Sequence, residues 1–396
     1  MKRAFALACL LVMGYWRLVL RKQAREKKQQ LELLKSQQPT PQTLLAIGNF
    51  LQTASAVEGY SDPWALRLGG EFRGSVQTIG HYLARALWAK VKVEYTRQLF
   101  TLADGGTVGL DWAQTNTNGS NPLVLIHHGL CGSSDSVYVQ HLVVRLASEG
   151  YDSVVLVARG CGGLKLTTPE GFTAARTGDM REALHHVSQL FPHRRLFAVG
   201  FSLGAGLLLK FLGEEGSHSK LAGAVAISPS FNFAVTPKHF NLWSRHRLVH
   251  GLVEWAKQHD EMLKPHPDIK WDDMLQAKSI RDFDEACVVG PYSYLDVDHY
   301  YSDASPIHVS GQIATPTLTL NALDDPVCCG TTVPGEAHHT RGPGLVSILT
   351  ARGGHVAFAQ PSGGWSLPSE SWMDQVVVDW FNSQAATEVT SQVQLT

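Results

Sequence analysis

From about Val93 onward, short apolar runs alternate with stretches in which apolar residues recur every three or four positions. Runs at 99–102 and 107–113 flank Asp104-Gly105-Gly106 and predict a hairpin with a glycine-containing loop. Six further runs, at 123–127, 153–157, 196–199, 223–227, 317–320 and 345–349, are short and mostly apolar, as strands covered on both faces are. Helical patterns at 137–148, 178–190 and 203–212 fall between them, and one at 373–381 follows the last. This alternation predicts βαβ units and a mostly parallel sheet flanked by helices. About ninety residues between Ser228 and Thr315 carry no clear strand, too long for a plain loop. Helical patterns at 248–258, 271–275 and 282–286 make this a helical lid inserted at about 230–312.

The ends read differently. Residues 4–16 are apolar throughout, Arg17 interrupts, and Leu18-Val19-Leu20 resumes. With Tyr15 and Trp16 as interfacial residues, 1–22 reads as an uncleaved single-pass signal anchor in an endomembrane such as the endoplasmic reticulum. The basic residues after it favour a cytosolic body, whereas the sequon Asn118-Gly119-Ser120 is usable only in a lumenal one. Residues 23–63 are expected to form a stalk, 64–382 the main domain, and 383–396 a frayed, disordered tail.

In open α/β sheets the functional crevice lies beyond the carboxyl ends of the strands. There stand His128-Gly129-Leu130, Arg159-Gly160-Cys161, Gly200-Phe201-Ser202-Leu203-Gly204, Asp324-Asp325-Pro326 and Gly353-Gly354-His355. The Gly-x-Ser-x-Gly segment lies between a strand and a helix. At such a sharp turn the serine hydroxyl is lifted above the sheet, and Gly200 and Gly204 allow the close backbone approach. A serine nucleophile needs a base, and His355 follows the last strand. The base needs a carboxylate on its other nitrogen. Asp324 and Asp325 are adjacent, so one alone can serve; the Asp-Pro-Val wording favours Asp325, with the other capping the turn. The oxyanion needs two backbone donors, for which Leu203 and Leu130 are best placed. His127 and His128 read as structural.

These residues, with Ser75-Val-Gln-Thr-Ile79, Leu110-Asp-Trp112, Leu166-Thr-Thr-Pro169, Lys210-Phe-Leu-Gly213 and Phe283-Asp-Glu285, resemble one family. It is the α/β-hydrolase family of α/β-hydrolase domain-containing proteins 1, 2 and 3, with bacterial and plant relatives. The resemblance runs from about Trp64 to Phe381; Ala205-Gly206 and residues 70–73 depart from the family pattern. It implies an α/β-hydrolase fold, a serine hydrolase whose triad falls on Ser202, Asp325 and His355, an N-terminal anchor in several members, and ester or phospholipid substrates.

Composition agrees without deciding. Lys+Arg number 34 against Asp+Glu 35, which gives no nucleic-acid signal. The six cysteines form no ligand spacing, and Cys328-Cys329 near His338-His339 does not fit a tetrahedral zinc site. No metal or cofactor is expected. The sequence therefore reads as a membrane-anchored serine hydrolase of carboxylic esters, with acyl lipids as substrates. Its rivals are an acyltransferase that uses an alcohol in place of water, and a fold that has kept binding without chemistry.

Overall fold

A computed structural model describes residues 32–35, 50, 73–87, 90–113, 120–240, 242–328, 330–333, 342–360 and 371–393. The anchor at 1–22, most of the stalk, the sequon residues Asn118 and Gly119, and Cys329, His338 and His339 lie outside them. No helix among the described residues is long and apolar enough to cross a membrane.

The strands are β1 (Glu32–Lys35), β2 (Tyr95–Thr101), β3 (Thr107–Ala113), β4 (Leu123–His127), β5 (Asp152–Val157), β6 (Leu196–Phe201), β7 (Gly223–Ile227), β8 (Thr317–Ala322) and β9 (Leu345–Thr350). They form one sheet in the order β1-β9-β8-β7-β6-β4-β5-β3-β2. From β5 across to β9 every pairing is parallel; β1 on β9, β3 on β5 and β2 on β3 are antiparallel.

The two-sided burial of the central strands has a simple cause. Successive residues point to opposite faces, and each face carries its own helices. On one face Val124, Ile126, Phe197 and Val199 pack with residues of α2 (Val137–Ser148) and the C-terminal helix. On the other, Leu123, Leu125, Leu196 and Ala198 pack with α3 (Gly178–Leu190) and α4 (Leu203–Glu215). A further helix, α1 (Arg73–Leu87), precedes the hairpin and was not legible from periodicity.

Between β7 and β8 the chain forms α5 (Leu242–Gln258), α6 (Asp260–Leu263), α7 (Trp271–Leu275), α8 (Ile280–Cys287) and α9 (Val297–Ala304). These build small cores of their own around Leu252, Phe283 and Tyr301. The insertion is tied to the loop after β5, where the Gly160 carbonyl accepts Trp255 Nε1–H at 2.9 Å and His259 Nε2–H at 2.8 Å. It is tied elsewhere through Tyr300 Oη, which accepts Ala174 N–H, and through Asp303, which pairs with Lys210.

Both ends depart from expectation. The last helix, α10, spans Trp372–Val393, so the chain does not fray at Ser383; Ser383 and Gln384 are buried, and the Ser383 hydroxyl donates to Trp380 O. The supposed stalk contributes β1 to the sheet edge, and Phe50 packs edge-on against Trp380 with ring centroids 5.6 Å apart. Phe50 is 1% exposed. Phe50→Ala is therefore expected to cost about 3 kcal/mol or more in urea unfolding, as core Phe truncations do. A stalk residue would cost about 0.5 kcal/mol or less.

Candidate active site

The turn from β6 into α4 sets the site. Ser202 adopts φ 52 and ψ −114, a conformation that side chains rarely occupy. Its N–H donates to Ile227 O at 2.9 Å, which pins the turn to the end of β7. A Cβ at Gly200 would lie 2.5 Å from Gly204 O, and one at Gly204 would lie 2.4 Å from His128 O. Any larger residue at either position would push backbone against backbone, so the two glycines permit the turn that presents the serine.

Ser202 Oγ lies 2.8 Å from His355 Nε2, and His355 Nδ1 lies 2.9 Å from Asp325 Oδ2. The carboxylate accepts, so Nδ1 carries the proton and Nε2 is left to accept from the serine hydroxyl. The histidine side chain is 14% exposed and the aspartate 0%. Asp325 Oδ1 accepts from Val327 N and Cys328 N, at 2.7 and 2.9 Å, so the carboxyl is held from both sides. Asp324 points elsewhere: its Oδ1 accepts Gly354 N–H at 2.9 Å and braces the loop that carries the histidine.

That loop is strained. Gly354, Val356 and Phe358 all have positive φ, at 61, 51 and 44. Three side-chain oxygens accept its backbone N–H groups. Besides Asp324, Thr78 Oγ1 on α1 accepts His355 N–H at 2.8 Å, and Ser228 Oγ accepts Val356 N–H at 3.1 Å. Sequence reasoning missed Thr78 and Ser228. Thr78 lies within the Ser75–Ile79 signature, and Ser228 directly follows β7, at the same carboxyl edge that supplies the other residues.

The loop after β4 is fixed by His128. Its Nδ1–H donates to Gly129 O at 2.7 Å, and its Nε2 accepts Ala158 N–H at 3.0 Å. Both ring nitrogens are used by the neutral form, and burial lowers the pKa to about 4. Burial lowers the pKa of His127 well below the usual histidine range as well. Tyr138 Oη accepts Gly129 N–H at 2.9 Å and holds the loop close beneath Ser202. The N–H groups of Leu130 and Leu203 donate to no protein group among the described residues, and both residues line the cavity that contains Ser202.

This cavity has about 1080 Å³ of empty volume, including its open mouth. Phe233, Leu252, Trp255 and Phe283 make its walls chiefly apolar, and most of that wall belongs to the insertion. Among the described residues no group of His, Cys, Asp and Glu side chains is arranged to hold a metal ion.

Residues 122–266 match the model of the alpha/beta hydrolase fold. Phospholipase ABHD3 of Mus musculus is 34% identical over 300 residues, 73% of this chain and 71% of that protein. The chain belongs to the α/β-hydrolase family. Its relatives in the family extend to yeast and bacteria. The medium-chain fatty acid ethyl ester synthase/esterase 2 of Saccharomyces cerevisiae is 30% identical over 286 residues, 66% of this chain and 62% of that protein. The putative esterase YheT of Escherichia coli is 29% identical over 306 residues, 76% of this chain and 88% of that protein.

The buried histidines give a pH dependence with a definite sign. His128 titrates near 6.5 when unfolded and near 4 when folded, so in this window the unfolded chain binds more protons. The stability that His128 contributes is expected to be full above about 6.5 and to be lost as the pH drops towards 4, with His127 acting in the same direction and Asp284, raised to about 7 by burial, in the opposite one. Urea unfolding measured across this window should show the wild type gaining stability relative to His128→Asn as the pH rises from about 4 to 6.5.

Proposed function

We propose that this protein is a serine hydrolase that cleaves carboxylic esters of acyl lipids through an acyl-enzyme. The observation that carries this reading is the continuous hydrogen-bonded chain Ser202–His355–Asp325 opening into an apolar cavity.

That geometry supports the following steps. Ser202 Oγ attacks the acyl carbonyl while His355 Nε2 takes its proton, and the buried Asp325 carboxylate stabilises the imidazolium. The carbonyl oxygen becomes an oxyanion, which the N–H groups of Leu130 and Leu203 receive. The intermediate collapses as His355 gives the proton to the departing alkoxide, leaving the acyl group on Ser202. Water then attacks with His355 as base, and the acid is released with Ser202 restored. The acyl chain lies along the insertion wall, where Phe233, Leu252 and Phe283 offer hydrocarbon contact. The apolar stretch at 4–16 anchors the chain to a membrane, beside its lipid substrates. Acyl transfer is the second reading, because the yeast relative is named a synthase as well as an esterase. An alcohol occupying the water's position would complete it with the same residues.

A fluorophosphonate probe should label the wild type and not Ser202→Ala; a folded wild type that resists the probe would sink the hydrolase reading. Ester hydrolysis should fall about 10⁴-fold in Asp325→Asn, the scale known for the wrong histidine tautomer. Asp324→Asn should lose far less, about tenfold at most, since its carboxyl braces the loop rather than the imidazole. Adding short alcohols and following ester products separates transfer from hydrolysis.

A further inference from the structure

Asp284 takes no part in the reaction as drawn, yet it lines the same cavity as Ser202. It belongs to α8 and is 7% exposed. Its Oδ2 accepts the Tyr301 hydroxyl at 2.9 Å. Among the described residues no other group donates to its carboxyl, and its second oxygen is not sealed away from the cavity. The bond to Tyr301 ties α8 to α9 and accounts for one oxygen. It gives the other oxygen nothing to do.

Hydrocarbon is a poor cover for that oxygen. A buried polar atom left without a partner costs about 1–3 kcal/mol, and more if it is charged. A plain alkyl chain filling the cavity would cover the oxygen without pairing it. A chain bearing a hydroxyl would pair it in either protonation state, accepting from the acid or donating to the carboxylate. We propose that Asp284 is a hydrogen-bonding subsite in the wall of the acyl pocket, which takes a hydroxyl carried part-way along the acyl chain. The proposal rests on the acyl-pocket reading given above.

Burial raises the Asp284 pKa to about 7, and the Tyr301 bond offsets only part of that rise. The titratable groups facing it are Tyr301 and Tyr300 on α9 and Cys287 on α8. All three are pushed upward by burial and by this carboxyl, Cys287 to about 12, so they stay neutral through neutral pH. Asp284 is therefore neutral below about 7 and ionised above. Covering the ionised form with hydrocarbon costs more than covering the acid. Preference for a hydroxylated chain should accordingly grow as the pH rises through 7.

The test uses full-length Ser202→Ala protein, which binds without turnover, and isothermal titration calorimetry. The probes are stearate and a set of monohydroxystearates substituted at successive positions. One isomer should bind about tenfold tighter than stearate at about pH 8, and by a smaller ratio at about pH 6. Adding Asp284→Leu should bring that ratio to about one while stearate still binds. A set in which no isomer exceeds stearate overturns the proposal, as does a preference that survives Asp284→Leu. Should that variant not fold, the unaltered carboxyl decides, since a ratio that is flat between the two pH values is equally fatal. Failure of every chain to bind, stearate included, removes the acyl-pocket reading and the subsite together. Indiscriminate binding removes the subsite alone.

Discussion

Everything at this site depends on how closely two backbones approach at the end of β6. The strand arrives at Gly200, turns at Ser202 with φ 52, and leaves as α4 past Gly204. Neither flank has room for a side chain, since Gly204 lies against His128 O and Gly200 lies against Gly204 O. Ser202 carries the conformational cost because its neighbours cannot be moved. The sheet supplies that rigidity: β6 is central, covered on both faces, and bonded to β4 and β7 along its length. A less thoroughly buried strand would relax, and the serine would lose its position.

The partners of the serine are held by a different device. His355 stands on a loop with three positive φ angles, held by hydroxyl and carboxyl oxygens of Thr78, Ser228 and Asp324. Side-chain acceptors satisfy backbone donors that no strand or helix can reach, which lets an irregular loop keep one geometry. The loop after β4 follows the same logic through His128 and Tyr138. Strands fix the coarse position, and polar side chains fix the last ångström.

The two levels were not equally legible in sequence. Buried central strands announce themselves, because apolar residues are required on both faces; β4 and β7 coincide with their sequence runs, and the other central strands differ from theirs by one or two residues at an end. The insertion was visible as an interval that broke the alternation. β1 was not, because its place at the edge comes from pairing with β9, far along the chain. The burial of Phe50 was hidden for the same reason, since Trp380 lies in the last helix. Thr78 and Ser228 were hidden because each acts through a hydroxyl on a distant main-chain N–H, which no local pattern records. Of the two adjacent aspartates, the Asp-Pro-Val wording already favoured Asp325, and direction separates them in the fold: Asp325 meets the imidazole and Asp324 meets Gly354 N–H.

The hydrogen bond between Ser202 and His355 joins positions 153 residues apart, and the Thr78 brace spans 277. The serine therefore leaves the ribosome long before its hydrogen-bond partner His355 exists, at a synthesis rate of about 5–20 residues per second. The hydrogen-bonded chain from Ser202 to Asp325 can thus close only after the loop that follows β9 has been made.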